Sequence, residues 1–191
     1  MVSAALPTLL FGLTLLGTPA APTADPGEGT GKVFLTVGEA LKLAFPKCEI
    51  ERSTVFLTKD QKRRVEKLAK VDLATRIVFP YVAKRDGKVV GTAWFDTHRV
   101  RTLNETVMFV VDPNQRIQRF ELLSFAEPQD YIPRGNWYDQ LKGRKLDAEL
   151  NLKRGIKGVT GATLTAKATV KAARRTLALQ AVLFPPPKRG E

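Results

Sequence analysis

Residues Gly155 to Thr165 (Gly-Ile-Lys-Gly-Val-Thr-Gly-Ala-Thr-Leu-Thr) concentrate the groups able to hold an anion or form an ester. Gly155, Gly158 and Gly161 recur at every third position and let the backbone turn tightly beside an approaching group. Lys153, Arg154 and Lys157 add positive charge to the same loop. Apolar periodicity begins directly afterwards, so Thr160, Thr163 and Thr165 stand where a helix starts. A helix start carries unpaired N–H groups and a partial positive charge, and it favours phosphate. The plainer reading of a threonine there is a helix cap.

The element behind this loop is read from Ala166, Val170, Ala173, Leu177, Ala181 and Phe184, which recur at helical spacing. They predict a helix from Leu164 to Phe184, with Lys167, Lys171, Arg174 and Arg175 off the apolar stripe and Pro185–Pro187 ending it. Upstream, Thr36-Val37-Gly38-Glu39 and Thr58-Lys59-Asp60-Gln61 are capping boxes for two shorter helices. The first would bury Leu41, Ala44 and Phe45. The second would bury Val65, Leu68 and Ala69. The β-branched and aromatic stretch from Ile50 to Leu57 reads as a strand. Asp86-Gly87 and Asp112-Pro113-Asn114 mark the turns of two hairpins, 76–97 and 105–125. The expected class is α+β: an antiparallel sheet of hairpins, with about four to five strands, packed against helices on one side and carrying a long C-terminal helix.

Other residue types narrow the chemistry. One histidine (His98) and one cysteine (Cys48) supply no metal-ligand cluster, no CxxC pair and no internal disulfide. No nucleophile–base set can be read, so no catalytic and no metal residues are assigned. The net charge is +12, and Lys142 to Arg175 alone holds ten basic residues against Asp147 and Glu149. That balance suggests an anionic partner (nucleic acid, an acidic protein, a membrane surface or a phosphate-bearing cofactor), and the plainer reading is a solvated basic surface. No nucleic-acid motif is present. Arg99 and Arg101, near His98, are candidates for contact with a phosphate or an acidic partner.

A second stretch, Glu127 to Gly143, combines two prolines that fix a loop with Tyr131, Trp137 and Tyr138. Three aromatics so close could line a slot for a flat ring or could cover the sheet. Thr160-Gly161-Ala162-Thr163 resembles the Ser/Thr-Gly-Ala-Thr motif of the FMN-binding domain family. That family includes the covalent-FMN domains of the sodium-translocating NADH:quinone reductase and of the Rnf electron-transport complex. Glu127–Gly143 resembles the family's Glu-Pro loop, tyrosine and Trp-led short helix. The resemblance covers about Val33 to Phe184. It implies that FMN is the cofactor and that Thr163 carries it through a phosphoester. Thr160, Gly161, Ala162, Leu164, Thr165, Trp137 and Tyr131 would surround it. It further implies a flavin transferase as partner, with FAD as flavin donor. A redox partner such as a cytochrome or a quinone-reducing membrane complex is also implied, so that the chain is a carrier rather than an independent enzyme. The family carries an acidic residue where this chain has Lys157.

Residues 1–24 read as a signal-peptide-like leader: an apolar run, Leu9 to Leu16, too short to span a bilayer, is followed by small residues. Residues 25–32 read as a flexible linker, 33–184 as the FMN-binding domain and 185–191 as a flexible tail. Such a leader would direct the chain to the periplasmic or extracellular side of a membrane. Two other readings stay open on sequence: a non-covalent binder of FMN or another phosphate ligand, and a basic interaction module without flavin.

Overall fold

Burial along one central strand organises the domain. The computed structural model describes residues 31–186, so the expected leader, most of the linker and the end of the tail lie outside the described residues. In the strand β7 (Asn104–Val111), Val107, Phe109 and Val111 enter one apolar cluster while Met108 and Val110 enter another on the opposite face. A strand's side chains alternate between faces, so a strand buried on both sides needs cover on both.

That cover is unequal. One face packs against α2 (Lys59–Ala69) through Val65 and Ala69, and against α3 (Thr163–Leu183) through Ala166, Val170, Ala173 and Leu177. Among the described residues, the other face receives only one helix, α1 (Val37–Ala44), through Ala40 and Leu41. The expectation of helices on one side is therefore corrected: the first helix crosses to the far face of the sheet. Leu68 is also 39% exposed rather than buried. Among the described residues no helix is long and apolar enough to cross a membrane.

Around β7 the remaining strands are β1 (Lys32–Val33), β2 (Glu49–Arg52), β5 (Tyr81–Arg85), β6 (Lys88–Arg99) and β8 (Ile117–Phe125). They form one six-stranded antiparallel sheet in the order β1-β8-β7-β6-β5-β2. Both expected hairpins are present: β5–β6 and β7–β8. The first turns on Asp86 (φ 50°) and Gly87 (φ 73°), the doubly left-handed pair that matches strand twist. The apolar stretch 50–57 is not one strand. It divides at Ser53 into β2 and β3 (Val55–Phe56), and β3 pairs with β4 (Ile77–Val78) in a separate two-stranded sheet.

The helices begin in two different ways. Thr36 and Thr58 each cap their helix with a complete capping box, as their sequence spacing implies. The long helix α3 begins on Ala162, which offers no side-chain cap. Its buried set is wider than the predicted stripe and includes Thr165, Thr169, Thr176 and Gln180. The helix lies between the sheet and α2, so more than one of its faces is covered. Arg174, off the apolar stripe, is spent on structure. Its Nε–H donates to the carbonyl of Ala69 at 2.7 Å and closes the C-terminus of α2.

Candidate functional site

The start of α3 is built from below by the basic loop. Trp137 is 6% exposed, and its Nε1–H donates to the carbonyl of Lys157 at 2.7 Å. Gln140 accepts the N–H of Lys157 at 2.8 Å, and Arg144 donates to the carbonyl of Gly155. Gly155 tolerates no side chain: a Cβ there would sit 2.6 Å from the carbonyl oxygen of Glu149. Ile156 is fully buried beside it. The loop is therefore pinned at its centre, and the charged groups of Lys153, Arg154 and Lys157 point outward from exposed positions.

The chain then turns at Gly161, whose φ of +83° would strain any other residue although nothing crowds it. Ala162 takes the N-cap position without a side-chain cap, forgoing about 1 kcal/mol that Ser, Thr, Asp or Asn would supply there. The first backbone bond of the helix is donated by Ala166 to Ala162 at 3.0 Å. The N–H groups of Thr163, Leu164 and Thr165 thus precede the hydrogen-bond ladder. They stand at the positive end of a 21-residue helix.

A cavity of about 210 Å³ adjoins this end, lined by residues 161–165 together with Arg101 and Tyr131. The Arg101 guanidinium lies 4.6 Å from the centre of the Tyr131 ring. Glu127 fixes Arg101 from behind. One of its oxygens accepts the N–H groups of Arg101, Thr102 and Leu103 at 3.1, 2.6 and 2.8 Å. The N–H donors of Leu103 and Thr102 outweigh the opposing effect of burial and hold the Glu127 carboxyl below its ordinary range.

The expected site residues therefore divide. Gly161, Ala162, Thr163, Leu164, Thr165 and Tyr131 meet around one cavity. Thr163 is exposed, and its hydroxyl donates to the carbonyl of Val159 at 3.1 Å. Thr165 is 1% exposed, and its hydroxyl donates to the carbonyl of Tyr131 at 2.6 Å, tying the tyrosine loop to the helix. Thr160 is exposed and does not line the cavity. Trp137 sits beneath the loop and does not line it either. Tyr138 stacks on Phe120, ring centres 4.4 Å apart, and covers the sheet. Arg101, rather than the lysines of the loop, is the cation that lines this cavity with Thr163.

A second cluster was not assigned from sequence. His98 and Glu105 are direct partners across β6 and β7. The His98 ring nitrogens lie 2.7 Å from Asp96 Oδ1 and 2.7 Å from Glu105 Oε1. Arg175 binds both oxygens of Asp96, at 2.9 and 2.7 Å. Thr169 donates to Glu105 at 2.9 Å, and Glu105 is fully buried with Oε2 unpartnered among the described residues. Two carboxylates facing the two ring nitrogens demand an imidazolium, which donates at both. Asp96 and His98 are two apart on one strand face, a readable signal; Glu105 depended on the hairpin register.

Burial works against ionisation of both groups, and their partners outweigh it. Hydrogen bonds from His98 and Arg175 bring Asp96 down to about 2, and hydrogen bonds and charge from Asp96 and Glu105 push His98 up. A depressed Asp96 adds stability above its unfolded value of 3.8, which is lost as pH falls toward 2. A raised His98 adds stability fully present below its unfolded value of 6.5, which is lost as pH climbs through the folded one. The unfolding midpoint should therefore be highest between those two values. His98→Gln should lower it there and flatten the alkaline fall, as scanning calorimetry across pH would show.

An uncapped helix N-terminus, an exposed threonine and an arginine meet at one cavity of this α+β domain, an arrangement suited to a phosphate-bearing ligand. Residues 103–178 match the family model of the FMN-binding domain, and the match indicates FMN as the cofactor. No curated protein and no solved structure matches the chain. The matched segment contains Tyr131, Trp137 and the whole of Thr160–Thr165, and it ends inside α3. The residues present fit the phosphate end of FMN: free helix N–H groups, a guanidinium, and a hydroxyl open to solvent.

Proposed function

We propose that the chain is an electron carrier whose FMN is joined to Thr163 through a phosphoester, on the periplasmic or extracellular side of a membrane. The observation that carries this reading is the start of α3. It gives up a side-chain cap that both other helices have, and it presents Thr163 at N1 beside Arg101. The N–H groups of Thr163–Thr165 and the Arg101 guanidinium would hold the phosphate oxygens. Tyr131 keeps Arg101 in place by stacking, and Glu127 keeps its backbone in place. FMN, once bound, supplies one- and two-electron transfer.

The attachment needs no base on this chain, because a separate flavin transferase would perform it with FAD as donor. Thr163 Oγ forms the new O–P bond as the pyrophosphate bond of FAD breaks. AMP leaves with the bonding electron pair, and the hydroxyl proton passes to the transferase or to solvent. The hydrogen bond from Thr163 to Val159 is given up, at little cost for an exposed carbonyl. Electrons would then pass to and from a redox partner such as a cytochrome or a membrane quinone-reducing complex.

The test is the intact mass of the chain after co-expression with a flavin transferase, followed by peptide mapping. A mass gain of FMN less one water, mapped to Thr163, supports the ester. A yellow sample of unmodified mass would mean non-covalent binding. Lys157 favours that second reading, since a transferase that expects an acidic residue meets a cation there. Its side chain is exposed and only its backbone is bonded. Lys157→Asp should therefore raise the loaded fraction without unfolding the loop. An unchanged or lower fraction with the same transferase would remove Lys157 from the argument.

A further inference from the structure

The cavity beside Thr163 is too small for a whole flavin. At about 210 Å³ it falls below the roughly 300–1,000 Å³ that enclose a drug-sized ligand. A larger cavity, about 510 Å³, lies on the other side of Leu164, which lines both and is 49% exposed. We infer that this second cavity seats the isoalloxazine ring of the FMN whose phosphate end lies at Thr163, and that Lys167 and Lys171 set the flavin's redox potential. The inference rests on FMN being held at Thr163, as proposed above.

The lining suits that ring. Val71, Val100, Leu164 and Ala168 offer apolar surface for its faces. Lys70, Arg99, Lys167 and Lys171 offer donors for the carbonyl edge, and Asp72 is a lone acceptor for its N–H. Four cations brought together from the end of α2, the end of β6 and one side of α3 repel one another. None of the four takes part in an ion pair among the described residues. Only Asp72 opposes them within the cavity. An anion entering there relieves that repulsion. His98 and Arg175 also reach this cavity, but Asp96 and Glu105 already neutralise them. They hold the wall in shape while the four outer cations remain free.

The consequence is electrostatic. Taking up two electrons from a reductant and one proton makes the flavin anionic. Cations beside the ring therefore favour the reduced form and raise the potential. Sulfite reports the same field, because its addition to the ring also leaves a negative charge there.

The experiment uses the flavin-loaded chain and Lys167→Glu/Lys171→Glu, a change at two exposed helix positions. Sulfite is titrated while bleaching of the visible flavin band is followed, and the potential is measured by dye equilibration. The double variant should bind sulfite at least about tenfold more weakly and show a lower potential. Lys153→Glu/Arg154→Glu makes the same change of charge in the loop, outside both cavities, and should have a much smaller effect. Sulfite affinity and potential that do not change in a protein with FMN mapped to Thr163 would overturn the ring site and leave the attachment standing. An equal response from the loop variant would overturn it too, because net charge would then explain both. A chain that takes up no FMN would overturn the underlying reading and this one with it.

Discussion

Thr163→Ala should yield a folded chain that carries no covalent flavin. Thr163 is exposed at the first helical position, where alanine is at least as good a helix former. Its one side-chain hydrogen bond, to Val159, lies at the surface, so its loss costs about 1 kcal/mol or less. No neighbouring hydroxyl is placed to substitute. Thr165 is buried and committed to the carbonyl of Tyr131. Thr160 is exposed but lies before the turn at Gly161, outside the cavity with Arg101. The loss of the mass gain should therefore be complete, with an unchanged circular dichroism spectrum. Thr163→Ser should keep the gain, since the attacking hydroxyl survives. A full gain in Thr163→Ala, mapped to Thr160, would move the attachment site and break the link between the helix start and the ester.

The second large effect is expected at Arg175. Arg175 and Asp96 are 15% and 16% exposed, and their paired hydrogen bonds join α3 to β6. Arg175→Met keeps much of the side-chain volume but leaves Asp96 with His98 as its only charged partner. Removing one member of a buried pair costs about 3 kcal/mol or more, so the unfolding midpoint should fall by about 10 °C. Adding Asp96→Asn to Arg175→Met should recover a large part, because no carboxylate is then stranded. If the double variant is as unstable as the sum of the singles, the two groups are not coupled and the cluster does not act as a unit. The adjacent Arg174 is held by other bonds, to Ala69 and to Leu150. Its replacement should loosen α2 without moving the pH profile that His98 and Asp96 produce.

Signals that act over three or four residues were readable directly from the chain. The capping boxes at Thr36 and Thr58 start their helices because the reciprocal bonds are local. Asp86-Gly87 forms its turn because only such residues accept two positive φ angles in succession. The period of Ala166, Val170, Ala173 and Leu177 produced the long helix, and Gly161 with Thr163 marked its start as the place for a phosphate. The match to the FMN-binding domain, and FMN with it, belong to the same level, since a match over residues 103–178 needs no coordinates.

Tertiary structure decided which side each residue faces and what it meets. Trp137, Tyr138 and Tyr131 are close in sequence, yet only Tyr131 lines the cavity at Thr163. The other two lie against the loop and the sheet, because the turn of the chain at residues 137–141 points them inward. Arg174 and Arg175 are neighbours in sequence with opposite assignments, one to the end of α2 and one to Asp96, since successive helix positions point about 100° apart. The pairing of His98 with Glu105 follows from the register of β6 on β7, and a shift of one residue would have separated them. Arg101 lines the cavity of Thr163, and Glu127, 26 residues away, gathers the backbone beneath it. Local chemistry thus determined that α3 would start beside Gly161 with an exposed threonine at its first position. Long-range packing determined which cation lines the cavity there and how much space it leaves.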